Sequence, residues 1–357
     1  MSRAADLPGV SNVSNVSNVS NDFIALKPAW LALHREEALE PELPIIDPHH
    51  HLWDHPGNPY LLPQLEADLG CGHRIVATVF VECRAMYRAD GPIDMKSLGE
   101  TEFVNGIAAM SASGAYGPTR ACAGIVGHVD LRHGARAGAI LEAHMAAAGG
   151  RFRGIRNGSA WHAGGLKVTS ATPPPGLLLD GQFRAGFASL ARLGLSFDAW
   201  LVHTQIDDVI DLARAFPATP IVLDHLGGPL GIGPYLGQRD AVFAAWSQSI
   251  GKLARCPNVY VKLGGLGMHT AGFDFHARAQ PPTSQELAQA WQPYIETCIA
   301  AFGVERAMFE SNFPVDKGSC SYGVLWNAFK RVTAACSAAE KTALFSGTAQ
   351  RVYRLAM

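Results

Sequence analysis

The densest group of chemically reactive side chains in the sequence is a run of three histidines, His49, His50 and His51. It follows two isoleucines, an aspartate and a proline. Because side chains along a strand alternate between its two faces, His49 and His51 are predicted to point one way and His50 the other. Two imidazoles on one face can share a metal ion or a bound water molecule. The stretch therefore predicts a buried strand that ends in such a pair.

Polar residues that could do chemistry also stand at the ends of other predicted strands. They are Glu82 after the second strand, His203 after the fifth, His225 after the sixth, and Glu310 with Asn312 after the eighth. A single histidine at a strand end is often only a packed core residue. Four histidines on three strands, accompanied by two acidic residues, favour a shared site instead.

The elements that would position these residues alternate regularly between short apolar strands and amphipathic helices. The first strand begins at Ile45, and the others are predicted over residues 74–82, 123–130, 152–156, 196–203, 221–225, 259–263 and 307–312. Strands that alternate with helices pair in parallel, with helical crossovers. Eight such units predict an α/β protein with the (β/α)8 TIM-barrel fold, whose active sites lie at the carboxyl ends of the strands. The sequence has neither of the glycine-rich motifs that bind nucleotides.

The domain boundaries follow from composition. Residues 1–21 contain a Ser-Asn-Val triplet three times in tandem, a polar repeat that is predicted to be disordered. Residues 22–357 are predicted to form a single barrel domain. With 48% hydrophobic and 17% charged residues, the chain has the composition of a well-packed globular protein.

Charge, cysteine content and hydropathy limit the classes of binding partner and the cellular compartment that we expect. A net charge of −2 gives no electrostatic basis for binding nucleic acid or an anionic membrane. The seven cysteines form no C-x-x-C pair, and no apolar run reaches membrane-spanning length. We therefore expect a cytoplasmic protein that acts on a small molecule. The sequence leaves a homo-oligomer open.

Three motifs in this order resemble the amidohydrolase-related (amidohydrolase 2) family, and within it the 2-pyrone-4,6-dicarboxylate and sugar-acid lactonases. They are residues 47–53 (DPHHHLW), 223–227 (LDHLG) and 309–315 (FESNFPV). The resemblance runs through nearly the whole chain from Ile45. It implies a TIM barrel that hydrolyses a lactone of a small carboxylated metabolite, or a related carbonyl compound.

The resemblance also implies roles for individual residues. His49, His51 and His225 match the family's metal-ligand positions, and His203 matches a further ligand of broader relatives. Imidazole-rich sites suit one divalent metal ion, Zn²⁺ or Mn²⁺. Some lactonases of this family work without metal, so metal-independent catalysis remains an alternative.

One departure from the family pattern concerns the proton acceptor. The family usually has an aspartate at the position of Asn312, and an amide cannot take a proton. Glu310, two residues earlier on the same strand face, is predicted to replace it as a general base with a raised pKa. Glu82 and Asp316 are the other candidates. The alternative for Glu310 is a structural ion pair with Lys262 or an arginine.

Arg84, Arg88 and Arg156, close to predicted strand ends, are predicted to bind a substrate carboxylate, together with Trp53 next to the histidine run.

Two other interpretations of the function remain open. One is C–N bond hydrolysis or metal-dependent decarboxylation on the same barrel, because a fold alone does not determine chemistry. The other is a degenerate barrel that binds a metabolite without turnover.

Overall fold

The chain forms a barrel of eight parallel strands in sequential order. This computed structural model describes residues 24–169 and 171–356, so the tail predicted over residues 1–21 lies outside it. The strands are β1 (Ile45–His50), β2 (Ile75–Val81), β3 (Arg120–Gly127), β4 (Phe152–Arg156), β5 (Ser196–Ala199), β6 (Ile221–Leu223), β7 (Val259–Leu263) and β8 (Ala307–Phe309). The prediction of a (β/α)8 barrel is confirmed.

Helices surround the barrel, and a short hairpin of Trp53–His55 and Asn58–Tyr60 follows β1. The α-helices span Pro28–Leu31, Leu62–Leu69, Leu98–Ala112, Ala137–Ala147, Gly181–Leu193, Ile206–Ala215, Arg239–Leu253, Ser284–Phe302, Tyr322–Val332, Ala338–Thr342 and Thr348–Val352. A π-helical turn, Ala343–Gly347, joins the last two. Among the described residues, no helix combines the length and the apolar composition needed to cross a membrane.

The ring closes between β1 and the segment after β8. His50 pairs with Phe313 as an isolated parallel bridge, and the Asn312 amide N–H donates to the His49 carbonyl at 2.9 Å. Asp47 reinforces this closure from β1. Its buried carboxylate accepts hydrogen bonds from the Ser311 amide N–H at 3.0 Å and from the Tyr322 hydroxyl at 2.9 Å. The closure fixes the end of β1, which carries His49 and His51, beside the end of β8.

The barrel interior has an apolar lower layer and a charged upper layer. Residues of the lower layer form one packed cluster: Ile46, Ala77, Val79, Val81, Val126, Val222 and Met308, with Tyr353 and Leu355 from the C-terminal segment. Above them lie buried acidic and basic side chains, at the carboxyl ends of the strands. The Tyr353 hydroxyl joins the two layers, because it donates to the Asp198 carboxylate at 2.7 Å.

Five strands end earlier than predicted. β2 ends at Val81 and β3 at Gly127, and the other three are β5, which ends at Ala199 instead of His203, β6, which ends at Leu223, and β8, which ends at Phe309. Beyond β5 and β6, the chain enters the 3₁₀ segments His203–Gln205 and Asp224–Gly227. These turns, not the strands themselves, set the directions of the histidines.

We expect Asp47→Ala to lower the free energy of unfolding by about 3 kcal/mol. The substitution leaves the buried donors of Ser311 and Tyr322 without their acceptor, and an unsatisfied buried polar group costs about 1–3 kcal/mol. Urea denaturation measures the change. The control is Asp54→Ala at an exposed position, which should shift stability by less than about 0.5 kcal/mol. Equal stability of the two variants would show that the closure does not depend on Asp47.

Candidate active site

The structure brings His49 and His51 together at the end of β1. Their ring centroids lie 5.0 Å apart, whereas His50 points into the barrel wall and hydrogen-bonds to the Thr78 hydroxyl at 2.8 Å. His51 Nδ1 lies 2.8 Å from the Val81 carbonyl oxygen. Since a carbonyl can only accept, Nδ1 of His51 carries the proton. Its Nε2 is therefore the nitrogen with a free lone pair, and His51 lines the central cavity.

Glu310 lies between His49 and His225, whose rings are 4.5 Å apart. Its Oε2 is 2.7 Å from His49 Nδ1, and its Oε1 accepts hydrogen bonds from His225 Nδ1 at 2.7 Å and from the His225 amide N–H at 3.0 Å. The left-handed backbone of His225 (φ 54°) allows its amide and its ring to meet the same oxygen. One carboxylate thus sets the orientation of both imidazoles.

Arg156, from the end of β4, links the histidines to the acidic residues. Its Nε donates to Glu82 Oε1 at 2.9 Å, and its Nη1 lies 3.3 Å from His49 Nε2 and 3.6 Å from Asp224 Oδ2. The guanidinium is buried among these groups. Glu82 is consequently held in an ion pair instead of standing free at the strand end.

Lys262, from β7, is the second buried cation of the upper layer. Its Nζ lies 2.6 Å from Asp198 Oδ2, 3.0 Å from Asp224 Oδ1 and 3.2 Å from His49 Nδ1. The sequence alternative in which Lys262 pairs with Glu310 is therefore not the arrangement found, because Lys262 contacts Asp198 and Asp224 instead. All three charged groups are shielded from solvent.

Burial and neighbouring charges set the protonation of this layer. Burial lowers the pKa of His49 and holds the pKa of His51 well below its ordinary value, so both imidazoles are neutral. Burial by itself raises the pKa of Glu310, but the adjacent His225 and His49 outweigh it and bring the pKa below its ordinary value. The raised pKa expected for Glu310 was wrong, since the two imidazoles that it contacts stabilise its ionised form.

The upper layer carries an excess of negative charge. Its four carboxylates, Glu82, Asp198, Asp224 and Glu310, face only two cations, Arg156 and Lys262. With all four carboxylates ionised, the formal charge of these six groups is −2. Buried charge without compensation is unfavourable, so the layer favours an additional positive charge.

A divalent cation would offset this negative charge, and the layer contains suitable ligand atoms for it. His49, His225 and Glu310 offer ligand atoms within 4.8 Å of one another, and the buried Glu310 Oε2 has no hydrogen bond of good geometry among the described residues. These residues would hold the ion, which would polarise a substrate carbonyl and lower the pKa of a bound water molecule. His51 and His203, the other two predicted ligands, do not belong to this group.

The cavity above these residues encloses about 970 Å³, including its open mouth. Its lining residues include His51, Trp53, Glu82, Arg84, His128, Arg156, Trp200, His225, His269 and Asn312. The residues predicted to bind substrate thus lie here with one exception. Arg88 lies outside this lining and forms an exposed ion pair with Glu102.

His203 lies apart from the histidine cluster. It lines a separate cavity with Tyr235, whose ring centroid is 5.0 Å from its own, and its Nδ1 accepts a hydrogen bond from the Leu230 amide N–H at 3.3 Å. The prediction that His203 shares a site with the other histidines as a further metal ligand is corrected. Because β5 ends at Ala199, the three residues that follow carry the chain away from the strand before His203 is reached.

Asn312 lines the cavity, and Asp316 determines which way its amide points. Asn312 Nδ2 donates to Asp316 Oδ1 at 2.8 Å, and the Gly267 amide N–H donates to Asp316 Oδ2 at 2.9 Å. Burial raises the pKa of Asp316 to about 7. The amide nitrogen is thereby committed to Asp316, and Oδ1 of Asn312 is the atom left for the cavity.

Several site residues were missed from the sequence. Asp198 and Asp224 occupy inward positions on or directly after apolar strands, and Trp200 packs edge-on against His225 at 4.9 Å. A charged residue that interrupts an apolar strand was the available signal. His128 and His269, which were not among the predicted site residues, also line the cavity.

Comparison with known proteins gives a consistent family assignment. The sequence model of the amidohydrolase family matches residues 46–355. An uncharacterized protein of Sinorhizobium fredii, y4mH, is 36% identical over 328 residues, which cover 88% of this chain and 99% of that protein. L-fucono-1,5-lactonase of Burkholderia multivorans is 30% identical over 177 residues, or 49% of this chain and 57% of that enzyme.

Solved structures show the same architecture. An amidohydrolase from Burkholderia multivorans with bound zinc superposes with a TM-score of 0.64 at 26% identity, covering 87% of this chain and 99% of that one. A 5-carboxyvanillate decarboxylase from Novosphingobium aromaticivorans, complexed with manganese, has a TM-score of 0.52 at 13% identity, covering 90% and 99%. The second likeness extends to the fold alone.

We expect Asn312→Asp to make stability more dependent on pH. The new carboxyl would stand against Asp316, and two carboxyls in contact share a proton, which raises the pKa of the pair above that of Asp316 alone. A proton held more tightly in the folded state stabilises it at low pH, and this stabilisation is lost as the pH rises through 7. Urea denaturation at pH 6 and pH 8 should show an additional loss of up to about 1.4 kcal/mol at pH 8 relative to the unmodified chain, the equivalent of one pKa unit for one shared proton.

The matched control exchanges the two side chains. Asn312→Asp combined with Asp316→Asn restores one carboxyl and one amide at this contact. The free energy of unfolding of this double variant at pH 8 should therefore recover most of the difference from the unmodified chain. An Asn312→Asp chain as stable at pH 8 as at pH 6, relative to the unmodified chain, would contradict the contact with Asp316.

Proposed function

The chain belongs to the amidohydrolase family, and we propose that it hydrolyses the lactone ring of a small carboxylated metabolite, of the sugar-acid type. One observation carries the proposal. Glu310 fixes Nδ1 of His225 and so directs the Nε2 of that ring to a cavity that arginine side chains also line. The lactonase relative in Burkholderia multivorans supports the choice of a cyclic ester.

His225 and Glu310 form the pair that moves the proton. A carboxylate hydrogen-bonded to Nδ1–H holds the imidazole in one tautomer and stabilises the imidazolium that forms when Nε2 accepts a proton. In this proposal, Nε2 of His225 takes the proton from the attacking water and returns it to the ring oxygen as the ester bond breaks. Asn312 then needs only to orient the water through its Oδ1, a task that an amide can perform.

Arg156 supplies fixed positive charge beside the reacting carbonyl. The Glu82 carboxylate holds the guanidinium of Arg156 in place. The guanidinium therefore does not have to reorient when negative charge develops on the carbonyl oxygen of the substrate. Removal of a preorganised donor of this kind typically lowers kcat by about 10² to 10³. Trp53 and Trp200 contribute apolar walls that limit the access of bulk water.

Arg84 provides selectivity for an anionic substituent. It is exposed at the cavity rim in a left-handed conformation (φ 64°), which turns the chain sharply after Glu82 and Cys83. A guanidinium at the rim can bind a carboxylate in a bidentate manner. The substrate that fits is a compact polar ring with a carboxylate directed to the mouth of the cavity.

A substrate panel tests the proposal. It contains 1,4- and 1,5-lactones of sugar acids with L-fucono-1,5-lactone among them, N-acyl amides, and aromatic carboxylic acids, with release of acid, amine and CO₂ measured separately. We expect ring opening of a lactone well above its spontaneous rate, with neither amine nor CO₂ released. Turnover of amides or aromatic acids without any lactone would overturn the proposal.

Two variants separate chemistry from recognition. His225→Asn should lower kcat by about 10² to 10⁴, the usual contribution of a general base. Arg84→Met should raise KM about tenfold for a carboxylated lactone, a loss of about 1.4 kcal/mol, whereas Arg88→Met, outside the cavity, should leave kcat and KM unchanged. Full activity of His225→Asn would exclude its role as proton acceptor.

A further inference from the structure

A second group of possible metal ligands lies outside the central site, on the segment that follows β7. His269, Asp274 and His276 offer ligand atoms that all lie within 4.8 Å of one another. His269 also lines the mouth of the central cavity, next to Met268 and Thr270. We propose that these three residues form a peripheral binding site for a divalent transition metal ion, separate from the site formed by His49, His225 and Glu310.

The backbone of residues 269–276 is held in place by packing against the rest of the barrel. Ala271 and Phe275 are buried, and Arg239 donates to the Gly272 carbonyl at 2.9 Å. Gly272 lies against Gly231 so closely that an added Cβ would come within 2.4 Å of the Gly231 carbonyl oxygen. The side chains that point outward are therefore carried on a rigid support, which reduces the entropy lost when a ligand binds.

Few of the donor atoms of this group are committed elsewhere. The His269 Nδ1 to Asp274 Oδ1 distance is 3.9 Å, too long for a hydrogen bond, and both side chains are about half exposed at 54% and 52%. Nδ1 of His276 is shielded from solvent and has no hydrogen-bond partner among the described residues. A shielded imidazole nitrogen without a partner is unfavourable, and binding a cation would satisfy it.

The donor types favour zinc or a similar ion. Two imidazoles and one carboxylate are a ligand set that Zn²⁺ accepts, with ligand distances of about 2.0–2.2 Å. The present spacing of up to 4.8 Å would have to shorten, and exposed side chains can rotate to allow this. Three protein ligands leave a coordination position free for water or for an oxygen atom of a molecule at the cavity mouth.

The nearby charges are compatible with a cation. Lys27 is the neighbouring positive group, and its Nζ donates to the backbone carbonyl of His276 at 3.1 Å, so it is tied to that carbonyl. Arg278 is paired with Glu286 at 2.8 Å. Asp274 offsets the charge of Lys27, and the two imidazoles supply the remaining donors.

Metal stoichiometry tests the proposal independently of any enzymatic activity. The full chain is stripped of metal, dialysed against micromolar Zn²⁺, and its zinc content is measured by mass spectrometry. The His269→Ala/His276→Ala double variant should bind one zinc equivalent less than the unmodified chain. Asp274→Asn should lower the affinity for that zinc ion about tenfold or more. The control is His133→Ala, at a half-buried histidine in another segment, which should leave the zinc content unchanged.

Crystals of the zinc-loaded protein locate the ion by anomalous scattering. A peak between His269, Asp274 and His276 that is absent from the double variant supports the proposal. Equal zinc content in the double variant and the unmodified chain would overturn it, and so would anomalous density confined to His49, His225 and Glu310. Binding that requires millimolar zinc would also overturn it.

Discussion

The contact of one buried carboxylate with two imidazoles organises the functional end of this barrel. Glu310 lies at the end of β8, and it meets His49 from β1 and His225 from the turn after β6. All three groups are excluded from solvent, so their interaction is stronger than it would be in water. Both Nδ1 atoms lie 2.7 Å from the carboxylate, and the hydrogen bond from His225 Nδ1 leaves that ring only its Nε2 for other groups.

This contact depends on the closure of the barrel and on the charges around it. Asp47 holds β1 against the segment after β8, so that His49 and Glu310 stay within reach of each other. Lys262 and Arg156 both lie next to His49, and the charge of Lys262 outweighs burial and helps to hold the pKa of Asp224 well below its ordinary value. The four carboxylates still exceed the two cations by two negative charges, and this excess favours the binding of a metal ion by the same residues.

The parts of this arrangement that follow from local pattern could be predicted from the sequence. Strand periodicity correctly placed His49 and His51 on one side, and the alternation of strands and helices gave the barrel. Positions that depend on where a strand ends could not be derived, because apolar periodicity continues into the turn that carries His203 away. The pKa of Glu310 was predicted in the wrong direction, since burial was visible in the sequence but the two contacting imidazoles were not.

The most direct test of the account is ¹⁵N NMR of the histidine rings in the metal-free protein, which distinguishes the two neutral tautomers. Orientation by Glu310 and by the Val81 carbonyl requires that His225 and His51 both carry their proton on Nδ1. In Glu310→Gln, the His225 signal should shift toward a mixture of tautomers, while the His51 signal should stay unchanged. A proton on Nε2 of His225 in the unmodified protein would contradict the account, because that ring could not then accept a proton from water.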